Sequence, residues 1–150
     1  MLQFHMIDEK TQYMAKQIIW QGLYERFGWI DSDCNPDLES IYKTYMTNGN
    51  IFLLGTFRNL PVATGGLLAE GIDIVRMSRI SVSKEFRGKG FAKQMIEELE
   101  RLSEQRKYKK IVLETNVEWE SAIELYKKMG YEEDHFEDGQ IHLFKELSIS

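Results

Sequence analysis

The most informative stretch of the chain is Val82-Ser83-Lys84-Glu85-Phe86-Arg87-Gly88-Lys89-Gly90-Phe91-Ala92. A β-branched run ends, a basic and glycine-rich turn follows, and an amphipathic helix begins. The first amides of a helix have no intrahelical acceptor, and the helix dipole favours negative charge where they converge. Gly88 and Gly90 allow the backbone to approach a bulky anion, while Arg87 and Lys89 add positive charge. A pyrophosphate is the simplest ligand of that description. The same spacing also serves a plain tight turn before a surface helix. A Walker-type loop would need Gly-Lys-Ser/Thr, and here Phe91 follows Gly90. A dinucleotide fold would carry Gly-x-Gly-x-x-Gly after its first strand, and this turn comes late.

Downstream of the turn, Phe91, Met95, Ile96, Leu99 and Leu102 mark one face of a helix of about four turns. Lys110 to Thr115 reads as a strand. Ala122, Leu125, Tyr126 and Met129 fall at i, i+3, i+4 and i+7, with Gly130 as a C-cap. Tyr131 to Phe136 and Ile141 to Leu147 pair across Asp138-Gly139, a hairpin signal. Upstream, Ile74 to Val82 is a strand. Ile51 to Phe57 and Val62 to Leu68 form a hairpin around Arg58-Asn59-Leu60-Pro61. Leu2 to Ile7 reads as a first strand, and Thr11 to Leu23 as a helix that Gly28 ends. A loop over Asp31-Ser32-Asp33-Cys34-Asn35-Pro36 leads to a second helix from Asp37 to before Gly49. The order β-α-α-β-β-β-α-β-α-β-β, with hairpins flanking one strand-helix-strand crossover, predicts an α/β (α+β) fold. Its sheet is mixed and mostly antiparallel, with helices on both faces.

Composition bounds the function. The 150 residues suit one domain, 1–150, and 43% hydrophobic content supports a core that needs no disulfide or metal. Cys34 is the only cysteine, against a thiolate-rich metal site. The longest apolar runs, such as Ile51-Phe52-Leu53-Leu54, are too short to span a membrane, and Met1 to His5 lacks the features of a signal peptide. These points lead to an expected cytoplasmic location. A net charge of −5 disfavours nucleic acid and biases the chain towards cationic partners.

Two motifs carry a family resemblance. Arg87-x-x-Gly90-x-Ala92 matches the Arg/Gln-x-x-Gly-x-Gly/Ala signature of the GNAT N-acetyltransferases, between a strand and a long helix as in that family. Ala122-Ile123-Glu124-Leu125-Tyr126-Lys127-Lys128-Met129-Gly130-Tyr131 resembles the family's Ala-x-x-Leu-Tyr-x-x-x-Gly-Phe/Tyr motif. The resemblance implies a GNAT-like fold that transfers acetyl from acetyl-CoA directly to an amine of a small molecule or peptide, with no metal. It implies that the pyrophosphate sits on the amides of Arg87, Gly88, Lys89, Gly90, Phe91 and Ala92. The strand Ile80-Ser81-Val82 would bond the pantetheine arm opposite a splay from Lys110–Thr115, and Asn116 would contact the same arm. The Val82 amide would polarise the thioester carbonyl, and Tyr126 would stand near the sulfur and protonate it. Where many members carry Asn three residues before the second motif's Ala, this chain has Trp119. A homodimer, a protein N-terminal or lysine acetyltransferase, and a non-catalytic acyl-CoA-binding module remain open readings.

The amine must lose a proton, and Glu70, Asp73 and Glu114 are the candidate bases. Phe27, Trp29, Asp31, Asp33 and Asp37 cluster where the family often covers its acceptor, which suits a cationic amine or a solvated acidic loop alike. His135 and His142 are expected to face each other across the last hairpin as a packing pair, since two histidines alone are too few for a metal. His5 lies on the first strand, and Cys34 reads as a free surface thiol.

Overall fold

The computed structural model of the protein describes residues 1–27, 37, 40–46 and 49–148. Its elements run β1 (Gln3–Met6), α1 (Gln12–Phe27), α2 (Ile41–Tyr45), β2 (Ile51–Phe57), β3 (Leu60–Ala69), β4 (Ile74–Val82), α3 (Phe91–Gln105), β5 (Lys110–Asn116), α4 (Glu120–Lys128), β6 (Glu132–Glu137) and β7 (Gln140–Glu146). The strands form one sheet in the order β1-β2-β3-β4-β5-β7-β6. Every neighbouring pair is antiparallel except β4 and β5, which are parallel and joined through α3. The expected fold class and element order both hold.

Alternation along the strands sorts side chains to two faces. On one face Ile51, Leu53, Leu67, Met77, Ile111, Leu113, Ile141 and Leu143 pack with Met95, Ile96 and Leu99 of α3 and with Tyr126 of α4. On the other, Phe52 and Leu54 pack with Ala15, Ile18 and Ile19 of α1 and with Ile41 and Tyr45 of α2. The sheet therefore has helices on both faces. A buried-edge network locks the first layer. Tyr131 donates its hydroxyl to Glu100 at 2.9 Å, and Lys145 donates to Glu100 at 3.0 Å and to the Met129 carbonyl at 2.7 Å. Burial and the Glu100 charge push the Tyr131 hydroxyl well above the usual phenol value.

Three boundaries differ from the sequence expectation. The first hairpin turns on Arg58-Asn59 alone, because both residues take left-handed backbone (φ 52° and 66°) and Phe57 pairs directly with Leu60. That is the two-residue geometry whose twist matches the strands. α1 extends to Phe27, about one turn past Leu23. α2 begins at Ile41 and not at Asp37, since Ser40 caps it by accepting the Lys43 amide at 3.2 Å. Gly28, the loop 31–36 with Cys34, Trp29, Asp31 and Asp33, and the Phe27 side chain lie outside the described residues.

Two glycines let the layers close on the sheet. A Cβ on Gly65 would lie 2.8 Å from both Leu99 Cδ1 and Met95 Cγ, and one on Gly66 would lie 2.9 Å from the Tyr45 ring. Gly65→Ala should therefore force α3 outward and destabilise the fold by about 1–3 kcal/mol, the usual cost of overpacking. The expected readout is a lower urea midpoint with an unchanged slope. An unaltered midpoint would show that α3 is not held as closely as the geometry indicates.

Candidate functional site

The β4–β5 pairing lasts only three residue pairs, Ile74 with Lys110, Val75 with Ile111, and Arg76 with Val112. Beyond Arg76 the strands diverge, and a cleft of about 890 Å³ opens between them. Its walls come from β4, the 86–93 turn, the end of β5, the start of α4, and the inner side of α1. A bulge steers the divergence. Thr64 pairs with Ser81 and Gly66 with Ser78, so Arg79 and Ile80 together oppose Gly65. Arg79 takes a left-handed φ of 56°, which costs a non-glycine residue about 1–2 kcal/mol. The buried Thr64 hydroxyl holds the distorted peptide by donating to the Arg79 carbonyl at 2.8 Å.

Backbone groups alternate in direction along an extended strand. The Ser83 amide donates to the Val62 carbonyl of β3 at 2.8 Å, so the neighbouring Val82 amide points the other way, towards the cleft that Val82 lines. The Val82 carbonyl is already taken, by Arg87 Nε at 3.0 Å. Arg87 also donates from Nη1 to Glu25 of α1 at 2.6 Å. Its guanidinium thus ties the turn to both walls, and part of its charge is offset before any ligand arrives.

The turn itself is a single 3-10 turn, Lys84–Phe86, followed by Gly88 and Gly90 at φ 77° and 82°. Gly90 caps α3, and the first intrahelical bond runs from the Gln94 amide to the Gly90 carbonyl at 3.1 Å. The amides of Phe91, Ala92 and Lys93 precede that bond. A Cβ at Gly88 or Gly90 would meet nothing within 4 Å, so these glycines serve backbone conformation and leave the space above them open. Arg87, Gly88, Gly90, Phe91 and Ala92 all line the cleft; Lys89 is exposed and stands outside the lining.

Opposite the turn, Asn116, Trp119, Leu125 and Tyr126 line the cleft. Asn116 Oδ1 accepts the Glu118 amide at 2.8 Å, which shapes the bend from β5 into α4 and leaves the amide nitrogen for other partners. Tyr126 is buried and meets Tyr131 edge to face at 5.4 Å. Of the three carboxylates considered as bases, Glu114 lines the cleft. Arg76 binds Glu114 at 2.7 Å and also pairs with Glu70. Asp73 stands 3.7 Å from Lys109 and accepts the Lys109 amide through its main chain, at the start of β4.

The far end of the cleft holds a cluster that sequence reasoning only half found. Asp37 receives Arg79 in a two-pronged pair, Nη2 to Oδ1 at 2.6 Å and Nε to Oδ2 at 2.9 Å. The Tyr45 hydroxyl donates to Asp37 Oδ2 at 2.9 Å and lies 3.1 Å from Ser78 Oγ. Burial alone would raise the Asp37 pKa, but the Arg79 hydrogen bonds and charge, with the Tyr45 hydroxyl, hold it below its ordinary value. Burial, then the Asp37 charge, push Tyr45 up to about 12. The pair therefore stays ionised and Tyr45 stays a donor at neutral pH. Asp37 stood out in the sequence as part of an acidic cluster. The missed signal was Arg79, a second cation beside Arg76 in β4 and one set among half-buried neighbours, which calls for a partner.

Comparisons with known proteins agree with this fold. Residues 48–133 match the family model of the acetyltransferase (GNAT) domain. The mouse protein named "Probable N-acetyltransferase family 8 member 5" is 32% identical over 101 residues, covering 64% of this chain and 44% of that protein. The chain spans about half the length of the curated relatives it matches. Among solved structures, an acetyltransferase of the GNAT family from Staphylococcus aureus superposes with a TM-score of 0.88 at 20% identity, over 99% of this chain and 100% of that one. The PaiA N-acetyltransferase from Thermoplasma acidophilum, solved in complex with coenzyme A, gives 0.83 at 11% identity over 98% and 99%.

The Asp37–Arg79 pair makes a prediction about stability. A carboxyl whose folded pKa lies below its unfolded value of 3.8 adds stability above that value and loses it as pH falls through the folded one. Asp37→Asn should cost about 1.5–3 kcal/mol at pH 7, the range for hydrogen bonds to charged groups. The gap between parent and variant should narrow as pH drops below about 4. Urea unfolding at neutral and acid pH measures both, and a gap that does not change with pH would assign the loss to shape and not to charge.

Proposed function

This chain belongs to the GNAT acetyltransferase family, and we propose that it catalyses direct transfer of acetyl from acetyl-CoA to an amine. The observation that carries the reading is the free edge of β4. Along it Ile80 and Val82, the latter with its amide turned away from β3, line a cleft whose one end is an open helix N-terminus and whose opposite wall carries Tyr126.

In this reading the pyrophosphate rests on the amides of the 87–92 turn. Because Arg87 is shared with Glu25 and Val82, the backbone supplies most of the anion binding and the guanidinium mainly holds the turn in shape. The pantetheine arm lies along Ile80–Val82 like an added strand, with Asn116 across the gap. The amine attacks the thioester carbonyl, whose oxygen gathers charge against the Val82 amide. The C–S bond then breaks, and Tyr126 gives its proton to the departing sulfur, two groups of comparable acidity. The proton lost by the amine passes, through water, to Glu114, the candidate carboxylate that lines the cleft. Holding both reactants in one cleft replaces a bimolecular encounter with a local one. The acceptor enters at the Asp37–Arg79–Tyr45 end. A small amine suits that end, since α1 and α2 wall it.

The test is release of free thiol from acetyl-CoA across a panel of primary amines, from small polyamines and amino sugars to N-terminal peptides. Turnover with at least one amine supports the reading. Coenzyme A binding without turnover on any amine would mark a binding module instead. Tyr126→Phe keeps the ring packing and should lower kcat by about 100- to 10,000-fold with little change in coenzyme A affinity; a kcat within about twofold of the parent, with chemistry rate-limiting, would remove the proton role. Gly90→Val opposes the left-handed backbone at φ 82° without touching the core. It should abolish coenzyme A binding by calorimetry, and an intact affinity would move the pyrophosphate elsewhere.

A further inference from the structure

The outer strands carry a cluster that the transfer reaction does not use. β6 and β7 pair with His135 opposite His142 and Glu137 opposite Gln140, and β5 places Glu114 opposite His142. Residues two apart on a strand share a face, so His135, Glu137 and His142 project together from the face that α1 and α2 leave uncovered. The two imidazoles stack with centroids 4.2 Å apart and planes 10° from parallel. One ligand atom from each of His135, Glu137 and His142 lies within 4.8 Å of the other two. The expected packing pair is therefore present, and Glu137 adds the third group that two histidines lacked.

His135 has a carboxylate near each of its ring nitrogens. Its Nδ1 lies 3.0 Å from Asp134 Oδ2 and its Nε2 lies 3.4 Å from Glu137 Oε2. The partners of Nδ1 are those expected around a metal-bound histidine. Asp134, which a bulge between Glu133 and His135 sets beside the ring, takes His135 Nδ1, and Glu114 Oε2 lies 3.5 Å from His142 Nδ1. A carboxylate at Nδ1 fixes the tautomer and leaves Nε2 to ligate. Three carboxylates, Asp134, Glu137 and Glu114, surround the site, and Arg76 offsets only Glu114.

We propose that His135, Glu137 and His142 form a binding site for one divalent transition ion of the zinc class. Two imidazole nitrogens and a carboxylate oxygen suit that ion, with water completing a tetrahedron. β6 is an exposed edge strand along its whole length, and the ion staples it to β7. The site shares Glu114, at His142 Nδ1, with the proposed acetyl transfer, but ion binding needs no turnover to be observed.

The experiment is calorimetric titration of the untagged, chelator-treated chain with zinc chloride, together with thermal melts with and without zinc. The parent should bind one ion per chain and melt at higher temperature with zinc, as any ligand that prefers the folded state requires. His135→Ala, His142→Ala and Glu137→Gln should each weaken binding by at least about 10-fold, and the double histidine variant should lose both the binding and the shift in melting temperature. Circular dichroism checks the fold, and His142→Gln replaces His142→Ala if the smaller side chain unsettles the strand. Absence of saturable binding in the parent, or parental affinity in any of the ligand variants, overturns the proposal.

Discussion

Parallel strands in this sheet stay together for three residue pairs and then separate, and the cleft and the direction of its backbone groups follow from that separation. A strand that leaves its neighbour exposes amides that water must satisfy or a ligand can use. The separation is built in by the bulge at Arg79, where two residues of β4 stand against one of β3 and local twist increases. Its distorted backbone is compensated from two sides. Thr64 holds the Arg79 carbonyl from within the sheet, and Asp37 grips the guanidinium from the α1–α2 connection. The same residue that bends the strand thus anchors the wall at the far end of the cleft.

Charge along the cleft is arranged by pairing more than by net excess. Arg87 is bound to Glu25, Arg76 to Glu70 and Glu114, and Arg79 to Asp37. A cleft with its guanidinium groups already matched attracts anions mainly through free amides at the start of α3, which cannot be neutralised by a neighbouring carboxylate. That favours a ligand whose anionic group is directional, seated on several N–H groups at once, over diffuse binding of any polyanion. It also explains why conformation at Gly88 and Gly90 matters more to the proposed pyrophosphate site than the cations beside them.

Local features were readable from the sequence because each depends on residues close in the chain. The strand-turn-helix at 82–92, the helical spacing of Ala122 to Met129, and the Asp138-Gly139 hairpin are set by periodicity and backbone preference. The approach of His135 to His142 followed from counting back across that hairpin. What stayed hidden depends on distant partners. Arg79 meets Asp37 across 42 positions, and Arg87 meets Glu25 across 62; no spacing rule pairs them. Asp134 reaches His135 Nδ1 at a bulge in β6, and bulges leave little trace in composition. The Arg58-Asn59 turn was read too long because neither residue is glycine, yet both adopt left-handed backbone.

The two sides of the divergence differ in how they are supported. β2 and β3 are covered on both faces, by α1 and α2 on one and α3 on the other. β5 and β7 bury one face under α3 and α4 and leave the other lined by polar groups such as Glu114 and His142. Three parallel pairs, the bonds of Lys109 and Lys110 to the Asp73 carbonyl, the Arg76–Glu114 ion pair and the helices beneath them connect these halves. A ligand arm laid between β4 and β5 would run along Ile80 and Val82, bond the Val82 amide on one side and reach Asn116 on the other, taking the place of the missing strand pairing. Binding would then stabilise the sheet at its weakest seam, because a ligand that prefers the closed arrangement shifts the population towards it. In the proposed reaction that coupling has a chemical consequence. The thioester and Tyr126 approach from opposite halves, so the arm that closes the seam also brings the proton donor to the sulfur.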